Sequence, residues 1–203
     1  MRFAISFVPP MLLPNLFKYK IILASKSPRR QQLLTGLELN FEVRTMDVDE
    51  SFPAELQAEE IPLYLSKIKA DAFKAEMADN ELIITADTIV WINHHVMNKP
   101  ESRDEALAML GELSGSVHKV YTGVSITTKT KELHFFDETE VEFAILSSEE
   151  LEYYFDKYNP IDKAGSYGVQ ELIGYIGIKK LNGSYFNVMG LPVHLLYEHL
   201  KDF

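Results

Sequence analysis

The chain contains no cysteine. That excludes disulfides, thiolate zinc sites and a thiol nucleophile, and it fits a cytoplasmic protein. Long apolar runs are absent too. Nothing approaches the roughly 20 residues that span a bilayer, so no membrane partner is expected. Basic residues are in the minority, 20 Lys and Arg against 30 Asp and Glu, for a formal net charge of −10. A general nucleic-acid binder needs basic surface to neutralise phosphates, so no nucleic-acid partner is expected. A small phosphorylated ligand held by a local basic cluster remains compatible with that charge. The sequence has no Gly-x-Gly-x-x-Gly, no Walker loop, no Gly-x-Ser-x-Gly elbow and no His-Glu-x-x-His. Rossmann dehydrogenases, P-loop NTPases, serine hydrolases and zincin-type metalloenzymes are accordingly disfavoured.

What is present reads as one soluble α/β domain. The 203 residues are 46% hydrophobic and 25% charged, an ordinary globular balance. Pro9, Pro10 and Pro14 interrupt the apolar N-terminus, and no small-residue cleavage site follows it. Residues 1–18 are read as an extension, with Met11 an alternative start, and residues 19–203 as a single domain. Strand and helix patterns alternate. Strands are expected at residues 20–25, 41–45, 82–92, near 97, 117–128, 133–146 and 175–181. Helices are expected after Ser27, Ser102 and Ser147, over 61–77, and over 191–203.

The Ser25-Lys26-Ser27-Pro28-Arg29-Arg30 segment stands at the junction of the first strand and first helix. Ser27 reads as an N-cap and Pro28 as the first helical residue. Arg29 and Arg30 then occupy the first turn, where the helix dipole disfavours cations. The helices opening at Ser102 and Ser147 carry acids there instead, in Ser-x-x-Glu patterns that read as capping boxes. Placing arginines at this one helix start suits an anion bound between them and the free N–H groups.

Asp87 lies in an otherwise apolar strand, Ile83-Ile84-Thr85-Ala86-Asp87-Thr88-Ile89-Val90. A carboxylate in such surroundings must be paired, hydrogen-bonded or metal-bound. It is either a satisfied structural residue, a metal ligand or a general base. Lys69 falls within a helical apolar stripe, and either snorkels to solvent or points into a cleft. Glu50 belongs to an acidic loop, Lys99 to a loop before Pro100, and residues 163–170 to a glycine-bearing loop ending in Gln170. Arg29, Arg30, Lys69 and Lys99 with Glu50 and Asp87 together suit a phosphorylated substrate and a divalent metal.

These segments resemble the Maf family of nucleoside triphosphate pyrophosphatases, also called septum-formation inhibitors. The resemblance runs from about Lys20 to the C-terminal helix. It rests on Ser25-x-Ser27-Pro28-Arg29-Arg30, Ala86-Asp87-Thr88, Lys99-Pro100, His118-x-Val120-x-Thr122-Gly123-Val124, Lys163-Ala164-Gly165-Ser166-Tyr167-Gly168-Val169-Gln170 and Gly183-Ser184-Tyr185 with Val188-x-Gly190-Leu191-Pro192. It implies an elongated mixed β-sheet flanked by helices, with two lobes around a deep cleft. The implied reaction is metal-dependent cleavage of a nucleoside triphosphate to monophosphate and pyrophosphate, with Mg²⁺ or Mn²⁺ as cofactor. Asp87 is the implied proton acceptor and, with Glu50, the implied metal ligand. Ser25, Arg29 and Arg30 are implied at the phosphates, Lys69 and Lys99 elsewhere in the cleft, and Arg29, Thr88 and Gln170 in substrate selectivity. Ala86-Asp87-Thr88 and Gln170 match the branch acting on dTTP and UTP. The alternatives are the branch acting on 7-methyl-GTP, and a non-catalytic nucleotide-binding regulator of cell division. The expected partner is the nucleotide itself, with a homodimer left open.

Overall fold

In the computed structural model, which describes residues 12–203, the apolar run after Lys20 forms β1 (Lys20–Leu23). It pairs in parallel with β2 (Phe41–Val43) on one side and with β3 (Glu81–Ile92) on the other. Antiparallel strands complete the sheet: β4 (His95–Met97) folds back on the end of β3, while β5 (Val117–Thr127), β6 (Glu132–Phe143) and β7 (Ile178–Asn182) follow in turn. The result is a seven-stranded mixed sheet in the order β2-β1-β3-β5-β6-β7, with β4 attached to β3. It is flanked by α1 (Pro28–Thr35), α2 (Glu60–Asp71), α3 (Arg103–Leu113), α4 (Ser148–Tyr158), α5 (Leu172–Gly177), α6 (Tyr185–Val188) and α7 (Val193–Lys201). The expected α/β class, a mixed sheet covered by helices, is the one observed.

Strand alternation decides which helix lies on which face. Ile22 and Ile83 point to one side, where Phe73 and Met77 cover them, and Ile89 and Tyr121 meet Ile61 and Leu65 of α2 on that same side. Leu23, Ile84, Ala86 and Val124 belong to the larger cluster, with Leu34 of α1, Leu110 of α3, Tyr154 of α4 and Leu196 of α7. Each fully buried Leu or Ile contributes about 1.5–3 kcal/mol of transfer free energy. The backbone of α2 sits directly on β5 at Gly123, where an added Cβ would lie 2.3 Å from the carbonyl of Pro62.

The same sheet contains a gap. Pairing of β1 with β3 ends at Leu23 and Ile84, and β4 joins β3 only from Val90. Among the described residues, the intervening stretch of β3 has no strand neighbour on that side, and the chain leaves the carboxyl end of β1 there to enter α1. Crevices at the carboxyl ends of parallel strands are the usual ligand sites of open α/β sheets.

Several elements differ from the sequence expectation. The helix expected over 61–77 ends at Asp71. The chain then continues in turns, although Phe73 and Met77 remain buried. The strand expected over 175–181 is α5 followed by β7. Gly174 packs so closely on the Val169 carbonyl, 1.8 Å from where a Cβ would stand, that a tight helical turn replaces the extended form favoured by Tyr175 and Ile176. The closing helix starts at Val193, after Pro192, and not at residue 191. Packing also begins before the expected boundary at residue 19. Leu13 and Leu16 are buried in the main cluster, and the Asn15 amide donates to the Leu200 carbonyl at 2.8 Å. The alternative start at Met11 lies outside the described residues. Among the described residues no helix is long and apolar enough to cross a membrane.

Candidate active site

The gap in the sheet opens into a cleft of about 490 Å³ that all nine expected site residues line. The carboxyl end of β1 supplies Ser25, which is buried and accepts from the Ser27 N–H at 3.2 Å. Ser27 caps α1, its Oγ accepting from the Arg30 N–H at 3.5 Å. No acid occupies the first turn of α1, in contrast with α3 and α4. Only α4 has a full capping box; at α3, Glu105 accepts from the N–H of Glu101 instead of Ser102.

The two arginines of that turn have different surroundings. Arg30 reaches across the gap: Nε donates to the Gly190 carbonyl at 2.7 Å, one terminal nitrogen to the Ala86 carbonyl at 2.8 Å, and the other to Thr88 Oγ1 at 3.0 Å. Desolvation lowers its pKa from the ordinary arginine value, an effect opposed by the nearby Asp87. Arg30 therefore replaces the missing strand as a cross-tie between α1, β3 and the segment at Gly190. Thr88 is part of the same tie, since its hydroxyl also lies 2.9 Å from Thr122 Oγ1, which donates to the Asn187 carbonyl at 3.1 Å. Arg29 turns to the opposite wall and pairs with Asp162 at 3.0 Å.

Alternation along β3 turns Asp87 to the α2 face, away from Ala86 and Thr88. There Lys69 Nζ donates to Asp87 Oδ1 at 2.6 Å and lies 3.0 Å from Glu50 Oε1. The Lys69 side chain is only 15% exposed, so it points into the cleft and does not snorkel. Docking of α2 is reinforced one turn away, where Thr85 Oγ1 donates to the Ser66 carbonyl at 2.6 Å. Lys99 is exposed at the cleft margin, with no ion pair among the described residues.

The wall facing α1 adds Asp162 and Glu171, which the sequence reading did not single out, to Lys163 and Gln170 of the loop it did. Asp162 Oδ1 accepts from Lys163 Nζ at 2.8 Å, and Lys163 Nζ also lies 3.1 Å from Glu171 Oε1. Burial alone would raise the Asp162 carboxyl pKa. Hydrogen bonds from Lys163 and Arg29 outweigh that effect and hold it below the usual range. Gln170 also faces the cleft, and its Oε1 is buried with no hydrogen-bond partner among the described residues. Acids adjoin Lys163 and Gln170 in the sequence, at Asp162 and Glu171. Those adjacencies were the available signal. Nearby, His118 is buried against Tyr167, its Nε2 2.8 Å from the phenol oxygen, and desolvation lowers its pKa to about 3.

A metal was expected on Glu50 and Asp87. Among the described residues no group of three or more His, Cys, Asp or Glu side chains is arranged to hold an ion. The two carboxylates nevertheless meet on one atom, Lys69 Nζ. Mg²⁺ is commonly held by one or two carboxylates completed by substrate phosphates; the donor chemistry of Glu50 and Asp87 suits that, although the atom they share here is the Lys69 ammonium.

The family described as Maf-like protein matches residues 20–203. A relative from Parabacteroides distasonis named dTTP/UTP pyrophosphatase is 58% identical over 193 residues, covering 95% of this chain and 100% of its own. One of the same name from Bacteroides thetaiotaomicron is 56% identical over 191 residues, covering 94% and 99%. Among solved structures, the Ham1 protein of Staphylococcus aureus is a distant likeness, at 15% identity and a TM-score of 0.48, covering 90% of this chain and 98% of its own. The chain belongs to the Maf-like protein family.

Proposed function

We propose that this chain hydrolyses dTTP and UTP to the nucleoside monophosphate and pyrophosphate. The observation that carries the reading is the convergence of Asp87 and Glu50 on Lys69, in a cleft whose rim presents Arg29 and Lys99. Acid and base groups on one wall and cationic groups at the rim suit attack on a polyphosphate. The relatives named dTTP/UTP pyrophosphatase support the substrate class.

In this reading the triphosphate lies along Arg29, Lys99 and the first turn of α1, displacing Asp162 from Arg29. Water attacks the α-phosphorus. Its proton passes to an Asp87 carboxylate oxygen, the bond from the α-phosphorus to the bridging oxygen breaks, and pyrophosphate leaves with the electron pair. Lys69, itself paired with Glu50, holds the Asp87 carboxylate in position, while Arg29 and Lys99 neutralise charge growing on the leaving group. Arg30 acts through geometry, fixing the α1 turn against β3. Glu50, Asp87 and the substrate phosphates would hold Mg²⁺ or Mn²⁺, which supplies Lewis-acid stabilisation of phosphoryl oxygens. At the other end of the cleft, the unpartnered Gln170 Oε1 suits the N3–H donor of thymine or uracil, where cytosine offers only an acceptor.

A nucleotide panel tests the proposal. The protein is incubated with Mg²⁺ or Mn²⁺ and, separately, dTTP, UTP, CTP, ATP, GTP and 7-methyl-GTP, and pyrophosphate is measured. The expected result is release from dTTP and UTP at a kcat/KM roughly tenfold or more above the others, the scale that one well-placed hydrogen-bonding group supplies. Preferential cleavage of 7-methyl-GTP would move the chain to that specificity. Binding of dTTP without product would make it a nucleotide-binding regulator.

A further inference from the structure

We infer that Tyr154 and Glu171, which no step above uses, are positioning residues for nucleobase discrimination: they set the geometry of the Gly168–Gln170 segment and of Lys163. The inference rests on the reading of the cleft as a pyrimidine-nucleotide site.

Tyr154 projects from α4 and is fully buried. Its ring stacks on Tyr158 with centroids 5.2 Å apart, so the phenol has one fixed direction. The hydroxyl makes two bonds of opposite sense. It donates to Glu171 Oε2 in a short contact, and it accepts from the Gly168 N–H at 3.0 Å. Burial and the adjacent Glu171 push the phenol pKa far above its usual value, which keeps it a donor. Both ends of the segment that carries Gln170 are thereby fastened to a single buried atom on another helix.

Glu171 completes the clamp. Its second oxygen faces Lys163 Nζ at 3.1 Å, and the Lys163 side chain is only 9% exposed. Its N–H donates to the Gly168 carbonyl at 3.0 Å, closing a turn around Gln170. The carboxylate lies directly over Gly168: a Cβ added there would stand 2.8 Å from Glu171 Cδ. Glu171 thus fixes the turn, the lysine and the spacing between them. Gln170, at the centre of this clamp, has an Oε1 that meets no donor among the described residues.

Discrimination between N3–H and a bare N3 depends on where that one oxygen stands. When it is held in place, uracil and thymine pair with it, and cytosine opposes acceptor to acceptor. When it is free to rotate, the wrong base escapes the repulsion and the right base loses the bond. Phosphate grip comes from α1 and the Lys99 loop, which meet this loop through the Arg29–Asp162 pair and the bond from the Gly165 N–H to the Asn98 carbonyl, not through Tyr154 or Glu171 directly. Loss of the clamp therefore falls more on base choice than on phosphate grip.

Tyr154→Phe removes the hydroxyl and keeps the stacked ring; Glu171→Gln keeps the shape and removes the charge facing Lys163. Each folded variant is assayed with UTP and CTP in the same preparation. The ratio of the two kcat/KM values is independent of the active fraction, so a merely structural defect leaves it unmoved. The expected result is a fall of about tenfold in the UTP-to-CTP ratio, carried by a higher KM for UTP more than by kcat. An unchanged ratio in both variants overturns the inference. Should the parent protein release no pyrophosphate, the proposed activity fails on its own. The ratio of UTP to CTP dissociation constants, measured by calorimetry in EDTA, then decides the positioning role by the same criterion. Binding of neither nucleotide by the parent protein overturns both.

Discussion

Replacing Asp87 by Asn is expected to lower kcat for dTTP by about 10²–10⁴-fold, the range a positioned general base contributes. The substitution is nearly isosteric. The amide oxygen still accepts from Lys69, which lies 2.6 Å from Oδ1 in the parent protein. The lysine also keeps Glu50 as a partner at 3.0 Å, so no unpaired ammonium is left in the cleft. Stability should change by less than the roughly 3–5 kcal/mol that removing a partner from a buried pair costs, because the shape, the acceptor for Lys69 and the Lys69–Glu50 pair are all kept. Proton acceptance is lost outright. Steady-state kinetics together with a thermal melt separate the two effects. Near-normal turnover from a folded Asp87→Asn protein would remove Asp87 from the chemistry.

The arginine pair yields the second large effect, and it differs between neighbouring residues. Arg30→Met is expected to destabilise the fold by about 3–5 kcal/mol, because charge-assisted hydrogen bonds contribute roughly 1.5–3 kcal/mol each and orphaned carbonyls add a desolvation cost. Its three acceptors, Gly190, Ala86 and Thr88, lie on two separate segments. In a chain of this size that loss lowers Tm by roughly 10 °C. Arg29→Met removes an ion pair with Asp162, whose side chain is 58% exposed, and should cost under about 1 kcal/mol. Its effect should fall on KM for dTTP, raising it roughly tenfold through loss of a phosphate contact. Melting curves and kinetics of the two variants check this division. Equal melting temperatures would mean that the Arg30 cross-tie contributes little.

That division marks how much of the site was legible in the sequence. The turn itself was readable, because two cations at a helix N-terminus oppose the dipole and the helices opening at Ser102 and Ser147 have acids there. The separate tasks of Arg29 and Arg30 were not. The acceptors of Arg30 include backbone carbonyls 56 and 160 residues away, and a carbonyl has no residue signature. Asp87 was legible as a carboxylate in an apolar strand. Periodicity placed Lys69 in the buried stripe but left its direction open, since snorkelling and cleft entry share one pattern. Tyr154 could not be assigned to the cleft, because it reads simply as an aromatic on the apolar face of α4. Local preference misled at Tyr175 and Ile176, where close backbone packing prevailed over β-propensity. The gap in the sheet, which opens the cleft, depends on where β1 stops and β4 starts, and strand ends are the weakest signals in a sequence.

The central claim is attack of water on the α-phosphorus, and isotope placement tests it most directly. The protein is allowed to turn over dTTP in water enriched in heavy oxygen, and the products are separated and weighed by mass spectrometry. The expected result is one heavy oxygen in dTMP and none in pyrophosphate. Label in pyrophosphate, or products of dTDP and inorganic phosphate, would contradict the mechanism.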